Sequence, residues 1–73
     1  MKKHHQTYAV KLGERVKTLR EGKNLTHHQL AEKCGCSTKT ISRIEKGETN
    51  FSHFILVDMA IVFGISLEEL VRG

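Results

Sequence analysis

The stretch that decides the fold is residues 25–47, which read LTHHQLAEKCGCSTKTISRIEKG. Thr26 is a good N-cap for a short helix, and Gly35 is suited to end that helix with a positive φ angle. Ser37 then caps a second short helix. Two short helices joined by a tight turn that contains glycine form a helix-turn-helix. We therefore expect this motif over about residues 26–46.

The apolar residues of this stretch fit such a motif. Ala31 is small where the two helices must cross closely, and Cys36 can fill the buried position of the turn because a thiol behaves as a small hydrophobe. Ile41 and Ile44 lie three positions apart, so they anchor one face of the second helix. The opposite face of that helix is left pointing outward.

The rest of the chain also has helical spacing, and no segment alternates as a strand would. Leu12, Val16 and Leu19 predict a first helix from about Ala9 to Gly22. Ser52 and Ser66 are suited to open two further helices. The sequence therefore predicts an all-α domain of five helices over residues 9–73, preceded by a flexible basic N-terminal arm over residues 1–8.

The distribution of charge favours a nucleic-acid partner. The 73 residues carry 12 Lys and Arg against 8 Asp and Glu, a net charge of +4. Residues 1–50 hold 11 basic and 5 acidic side chains, whereas residues 51–73 hold one basic and three acidic. A positive field is expected where a protein faces phosphate. No apolar run approaches the ~18 residues that span a bilayer, so we expect a cytoplasmic protein.

Residues 25–47 together resemble the phage repressor and Cro-type family of transcriptional regulators, also called the XRE family. The resemblance extends to residues 12–16 and to residues 64–70, and it covers nearly the whole chain after the first eight residues. It implies a compact lambda-repressor-like domain that binds double-stranded DNA in a bacterium or phage. We expect no cofactor.

The resemblance also assigns roles to individual residues. It implies that bases are read in the major groove by Thr38, Lys39, Ser42 and Arg43. Arg43 is suited to a bidentate contact with a guanine edge. It implies phosphate contacts by His27, His28, Ser37, Thr40 and Lys46. Without the resemblance, the same residues would be interpreted as a solvated helix face.

Two further assignments follow from the resemblance. Arg20 and Glu45 match an ion pair that ties the first helix to the end of the recognition helix. His27 stands where the family usually has Gln, and we expect its protonation on acidification to strengthen DNA binding. The alternative is that His27 and His28 are exposed and have no role.

The fourth predicted helix is apolar on two faces, which is typical of a helix buried on both. Its inward stripe consists of Leu56, Met59, Ala60 and Phe63. We assign the second face to a homodimer interface, formed with the chain end by Phe54, Val57, Ile61, Val62, Leu70 and Val71. The alternatives are burial against the N-terminal segment around Tyr8 and Val10, or docking of another protein such as a toxin or a polymerase subunit.

A two-fold dimer would place two recognition helices about 34 Å apart and would therefore bind a palindromic operator. Phage repressors, restriction–modification controllers and antitoxins are small regulators of this kind. The alternative function is that of an antitoxin or interaction module, which binds a partner protein through the fourth helix and for which DNA binding is secondary.

Catalysis and metal binding are the remaining possibilities. The chain has one Asp, no Ser/His/Asp constellation and no phosphate-binding glycine loop, so we expect no enzyme. Zinc binding is the more specific of these two alternatives, because the chain has four candidate ligands within ten positions: His27, His28, Cys34 and Cys36. Their spacing does not match a structural zinc site, so we expect no metal.

Overall fold

The computed structural model describes residues 2–48 and 52–72, of which residues 2–7 are described by their backbone alone. These ranges form five α-helices and no strand, which confirms the predicted fold class. The helices are α1 (Lys2–Gly22), α2 (His27–Cys34), α3 (Thr38–Glu45), α4 (His53–Phe63) and α5 (Leu67–Arg72). Within the described ranges, no helix combines the length and the apolar character that crossing a membrane requires.

The first helix begins earlier than the sequence indicated. We expected it to begin near Ala9, but α1 begins at Lys2, so the segment assigned to a flexible arm continues this helix. Residues 2–8 contain neither glycine nor proline, and nothing in them ends a helix that forms behind them. At its other end α1 stops at Gly22, close to the predicted end, and Asn24 follows with a left-handed φ of 57°.

Local caps set the starts of the last two helices where we predicted them. Ser52 caps α4 by accepting a hydrogen bond from the Ile55 amide at 3.1 Å, and Gly64 ends the helix with a φ of 71°. Ser66 and Glu69 form a reciprocal capping box in front of α5, with both bonds at 3.0 Å. These bonds satisfy backbone groups that a helix end leaves without partners.

The hydrophobic core joins all five helices. Helix α3 packs against α1 and α2, while α4 packs against α2 and α5. The buried apolar side chains are Leu12, Val16, Leu30, Ala31, Cys34, Ile41, Ile44, Met59, Ala60, Phe63 and Leu70. Because α3 contributes only Ile41 and Ile44 to this core, the remainder of its surface faces away from it.

Gly13 allows α1 to lie very close to the end of α3. A methyl group at Gly13 would collide with the carbonyl oxygen of Ile44 and would lie 2.7 Å from that of Glu45. Glycine is needed here because no side chain fits between the two backbones. This close approach determines where the end of α3 lies along α1. It therefore also determines the position of the outward face of α3.

Candidate DNA interface

The first turn of α2 is held by a capping box. The Gln29 amide donates to the Thr26 hydroxyl at 3.0 Å, and the Thr26 amide donates to the Gln29 side chain at 2.9 Å. The amides of His27 and His28 also belong to this first turn and have no intrahelical acceptor. They are therefore available to an anion, which the positive end of the helix dipole favours.

The turn between α2 and α3 is built on Gly35, which has a φ of 68°. The Cys36 amide closes the turn by donating to the carbonyl oxygen of Ala31 at 3.0 Å. Cys34 is buried, and burial raises the pKa of its thiol to about 11. Burial also raises the pKa of the Cys36 thiol. Both thiols are therefore protonated at neutral pH and serve as apolar packing groups.

Helix α3 presents the residues that we assigned to base reading. Ile41 and Ile44 are 0% and 1% exposed and turn one face of the helix into the core. The other face carries the four predicted base-reading residues, of which Ser42 is half-buried and the rest are exposed: Thr38, Lys39, Ser42 and Arg43. Helix α3 therefore presents hydroxyl, ammonium and guanidinium groups to solvent on one surface.

The structure brings Arg20 and Glu45 together as an ion pair. Arg20 donates from Nε to Glu45 at 2.7 Å and from Nη2 at 3.2 Å, and from Nη1 to the carbonyl oxygen of Leu25 at 2.7 Å. The hydrogen bond to Glu45 raises the pKa of the Arg20 guanidinium, while burial opposes the rise. The Glu45 side chain is only 5% exposed, so each charge of the pair is stabilised mainly by the other and not by water.

His27 joins this ion pair, which the sequence did not indicate. Its Nε2 lies 2.9 Å from Oε1 of Glu45, and its side chain is 41% exposed. Since an ionised carboxylate only accepts hydrogen bonds, Nε2 is the donor and Nδ1 is left for another partner. His27 therefore contacts Glu45 instead of lying free on the surface, and its predicted phosphate contact stays a prediction.

The other predicted phosphate ligands differ in how far their side chains are already engaged. Ser37 accepts from the Thr40 amide at 3.1 Å, and the two hydroxyls lie 2.8 Å apart. Nδ1 of His28 lies 3.3 Å from the Thr38 hydroxyl, and its Nε2 lies 3.7 Å from Glu32. Lys46 is exposed at the C-cap of α3. Ser37 and Thr40 thus primarily cap α3.

One basic residue beside these was missed by the sequence analysis. Lys17 is exposed on α1 and lies one turn before Arg20. It borders a small notch of about 170 Å³ between α1, α2 and α3, lined by Lys17, Arg20, His27, Ser42, Glu45 and Lys46. The spacing of Lys17 from Arg20 is the sequence signal that would have pointed to this place.

The second apolar face of α4 is only partly as predicted. Phe54 and Ile61 are 80% and 71% exposed, so the alternative that the N-terminal segment buries this face is wrong for both. Val57 is half-buried, and Val62 packs against the core. Leu70 was wrongly included in the interface: it is fully buried, because its helical spacing from Leu67 turns it inward.

Val71 borders a different surface from the exposed apolar residues of α4. It is half-buried and lines a cavity between α1 and α5, together with Tyr8 and Arg15. No three His, Cys, Asp or Glu side chains within residues 8–48 and 52–72 are grouped closely enough to hold a metal ion.

Comparison with known proteins gives one consistent result. The family model described as helix-turn-helix matches residues 16–70. The chain is 34% identical over 64 residues to the HTH-type transcriptional activator BcrR of Enterococcus faecalis, a match that covers 88% of the chain but only 31% of BcrR. It is 38% identical over 56 residues to an uncharacterized HTH-type transcriptional regulator of Methanocaldococcus jannaschii, covering 77% of the chain and 85% of that protein.

Among solved structures, the chain is similar to the restriction–modification controller protein C.AhdI from Aeromonas hydrophila. The TM-score is 0.81 at 31% sequence identity, and the match covers 85% of this chain and 94% of the controller. The similarity extends over nearly the whole of the controller protein.

Proposed function

Because this chain belongs to the helix-turn-helix family of the XRE type, we propose that it is a transcriptional regulator that reads double-stranded DNA with α3. The fold of this family is that of DNA-binding regulators and not of enzymes. In this proposal α3 enters the major groove, and the first turn of α2 binds the phosphate backbone. The protein acts as a homodimer on a palindromic operator, as a repressor or autoregulator.

The observation that carries the proposal is the contact between the first turns of α2 and α3. The 3.3 Å contact between His28 and Thr38 brings the free amides of α2 next to the outward residues of α3. A duplex that offers a phosphate to α2 therefore offers the adjoining base edges to α3. Phosphate contacts fix the register, and base contacts supply the specificity.

The outward residues of α3 have chemistry that suits base edges. Arg43 can donate two parallel hydrogen bonds to O6 and N7 of a guanine. Lys39 suits a guanine or a phosphate, and the hydroxyls of Thr38 and Ser42 suit either kind of base. In this proposal His28 and Lys46 bind phosphate directly, while Ser37 and Thr40 contribute mainly by holding the first turn of α3.

The exposed apolar side chains of α4 support the homodimer. Phe54 and Ile61 lie two turns apart on one helix and are largely exposed, an arrangement that favours burial against a second copy. Val57 lies between them and is half-buried. We assign the dimer contact to these three residues, with Val62 at its edge. If another protein such as a toxin occupied this face of α4 instead, the chain would stay monomeric until that protein was added.

A titration of ¹⁵N-labelled protein with duplex DNA tests the proposed orientation. The duplex is the one that the protein enriches from a random pool, and a duplex of shuffled sequence serves as the control. The amides of α3 and of the first turn of α2 are expected to shift most, and those of Thr38, Lys39 and Arg43 are expected to distinguish the two duplexes. Shifts centred on α4 or α5, with α3 unaffected, would contradict the proposal.

A further inference from the structure

The notch between α1, α2 and α3 extends the positive surface beyond the helix-turn-helix. The geometry points to a phosphodiester site in this notch, in which Lys17 of α1 binds the same DNA strand as α2 and the end of α3. The inference rests on the proposed function, because the phosphate belongs to the duplex that α3 reads. It adds α1 to the DNA-contacting elements and Lys17 to the DNA ligands.

The first support is the charge of the notch. Its two exposed cations, Lys17 and Lys46, come from α1 and from the end of α3. Neither ammonium group has an ion-pair partner among the described side chains. Lysine binds phosphate as a point charge on a flexible stem, so the two can close on a phosphate from opposite sides.

The second support is that the acid in the notch is already neutralised. Glu45 accepts hydrogen bonds from Arg20 at 2.7 and 3.2 Å and contacts His27 at 2.9 Å. Because its carboxylate is 5% exposed and shared between these partners, its repulsion of an incoming phosphate is small. The buried Arg20–Glu45 pair therefore adds little net charge beneath the free ammonium groups of Lys17 and Lys46.

The third support is position. Ser42 lines the notch and also lies on the face of α3 that we assign to bases. His27 lines it as well and begins α2, whose free first-turn amides favour an anion. A phosphate in the notch would therefore lie beside the base-reading surface and beside the phosphate site of α2. One continuous DNA strand can reach the notch, the base-reading face of α3 and the first turn of α2.

Binding of the enriched duplex, measured by fluorescence anisotropy over a range of KCl concentrations, tests the inference. The variants are Lys17→Gln, Lys17→Arg and, as matched control, Lys11→Gln. Lys11 is also exposed on α1 but borders the cavity toward α5. Removal of one phosphate ligand is expected to lower the slope of log affinity against log salt by about one.

The expected result separates the three variants. Lys17→Gln lowers the slope by about one and weakens enriched and shuffled duplexes by similar factors, because a phosphate contact carries no sequence information. Lys17→Arg keeps the wild-type slope, and so does Lys11→Gln. Thermal unfolding followed by circular dichroism is expected to be the same for all, since both lysines are exposed.

A methylphosphonate scan of the same duplex locates the phosphate. Each position in turn loses its charge, and at one position the loss is expected to weaken the wild-type protein more than the Lys17→Gln variant, which keeps only Lys46 at that phosphate. Equal slopes for Lys17→Gln and Lys11→Gln, or equal loss of affinity in wild type and Lys17→Gln at every methylphosphonate position, would overturn the inference and leave the proposed function intact. Failure of the wild-type protein to bind any duplex would overturn both.

Discussion

Nε of Arg20 lies 2.7 Å from Oε2 of Glu45, and this contact joins α1 to the last residue of α3. The two side chains are 11% and 5% exposed, so neither charge can be solvated if the other is removed. His27 contacts the same carboxylate from the first turn of α2. One buried pair thus positions the three helices that carry the proposed DNA surface.

Removal of Glu45 is expected to unfold the protein rather than only to weaken DNA binding. Breaking a buried pair leaves an uncompensated charge and costs about 3–5 kcal/mol, which is a large part of the stability of a small domain. Urea unfolding of Glu45→Ala is compared with Glu48→Ala, whose side chain is exposed. Equal stability of the two variants would show that the pair does not hold α3 in place.

Substitution of Gly13 tests the close approach of α1 to α3. A methyl group there meets two carbonyl oxygens of α3, so we expect Gly13→Ala to lower the free energy of unfolding by about 1–3 kcal/mol. Gly22→Ala is the matched control in the same helix, because nothing lies within 4 Å of the position. The control is expected to be neutral or slightly stabilising. If both substitutions stabilise, the helices are further apart than described.

Arg43→Ala and Lys46→Ala separate base reading from phosphate binding. Arg43→Ala is expected to cost about 1–3 kcal/mol of binding free energy and to relax the preference at one base pair. Lys46→Ala is expected to weaken all duplexes similarly and to lower the salt slope by about one. Anisotropy with single-base variants of the enriched duplex measures both. An Arg43→Ala variant that binds and discriminates like wild type would mean that α3 is oriented differently in the groove.

Acidification is expected to increase affinity for DNA through His27. Histidine carries a positive charge only when it is protonated, and His27 begins α2 beside the proposed phosphate site, with Nε2 2.9 Å from Glu45. A charged ring at this place adds to the attraction for a nearby phosphate. Affinity is measured against pH for wild type, His27→Gln and, as control, His28→Gln. A gain on acidification that His27→Gln leaves unchanged would rule out this histidine.

Charged substitutions on α4 test the dimer. Phe54→Asp and Ile61→Asp place a carboxylate at positions that are 80% and 71% exposed, so the fold of the monomer is expected to survive. Sedimentation equilibrium is expected to show a wild-type dimer and monomeric variants, and DNA affinity should fall because a monomer engages only one half-site. A wild-type protein that is monomeric at every concentration would contradict the homodimer.

Local signals in the sequence predicted most of the fold. Thr26, Ser37, Ser52 and Ser66 each lie at a helix start because capping is decided within about three residues. The start of α1 was not predicted, because residues 2–8 contain no signal that begins or ends a helix there. The outward face of α3 followed from the spacing of Ile41 and Ile44 alone.

Contacts between distant parts of the chain were harder to predict. The contact of His27 with Glu45 spans 18 positions and depends on how α2 crosses α3, which spacing within one helix does not reveal. Leu70 was assigned to an interface although its spacing from Leu67 also placed it inward, and the core takes it. The spacing of Lys17 from Arg20 was the only sequence signal for Lys17, and it was overlooked because the notch itself forms only when α1 and α3 come together.

Selection from random duplex DNA by the purified protein, followed by sequencing, tests sequence-specific DNA binding by α3 most directly. We predict enrichment of a palindromic motif whose half-sites lie about 10 bp apart, because a two-fold dimer presents two copies of α3 one helical turn apart. Absence of any enriched motif at low salt would contradict sequence-specific DNA binding by α3.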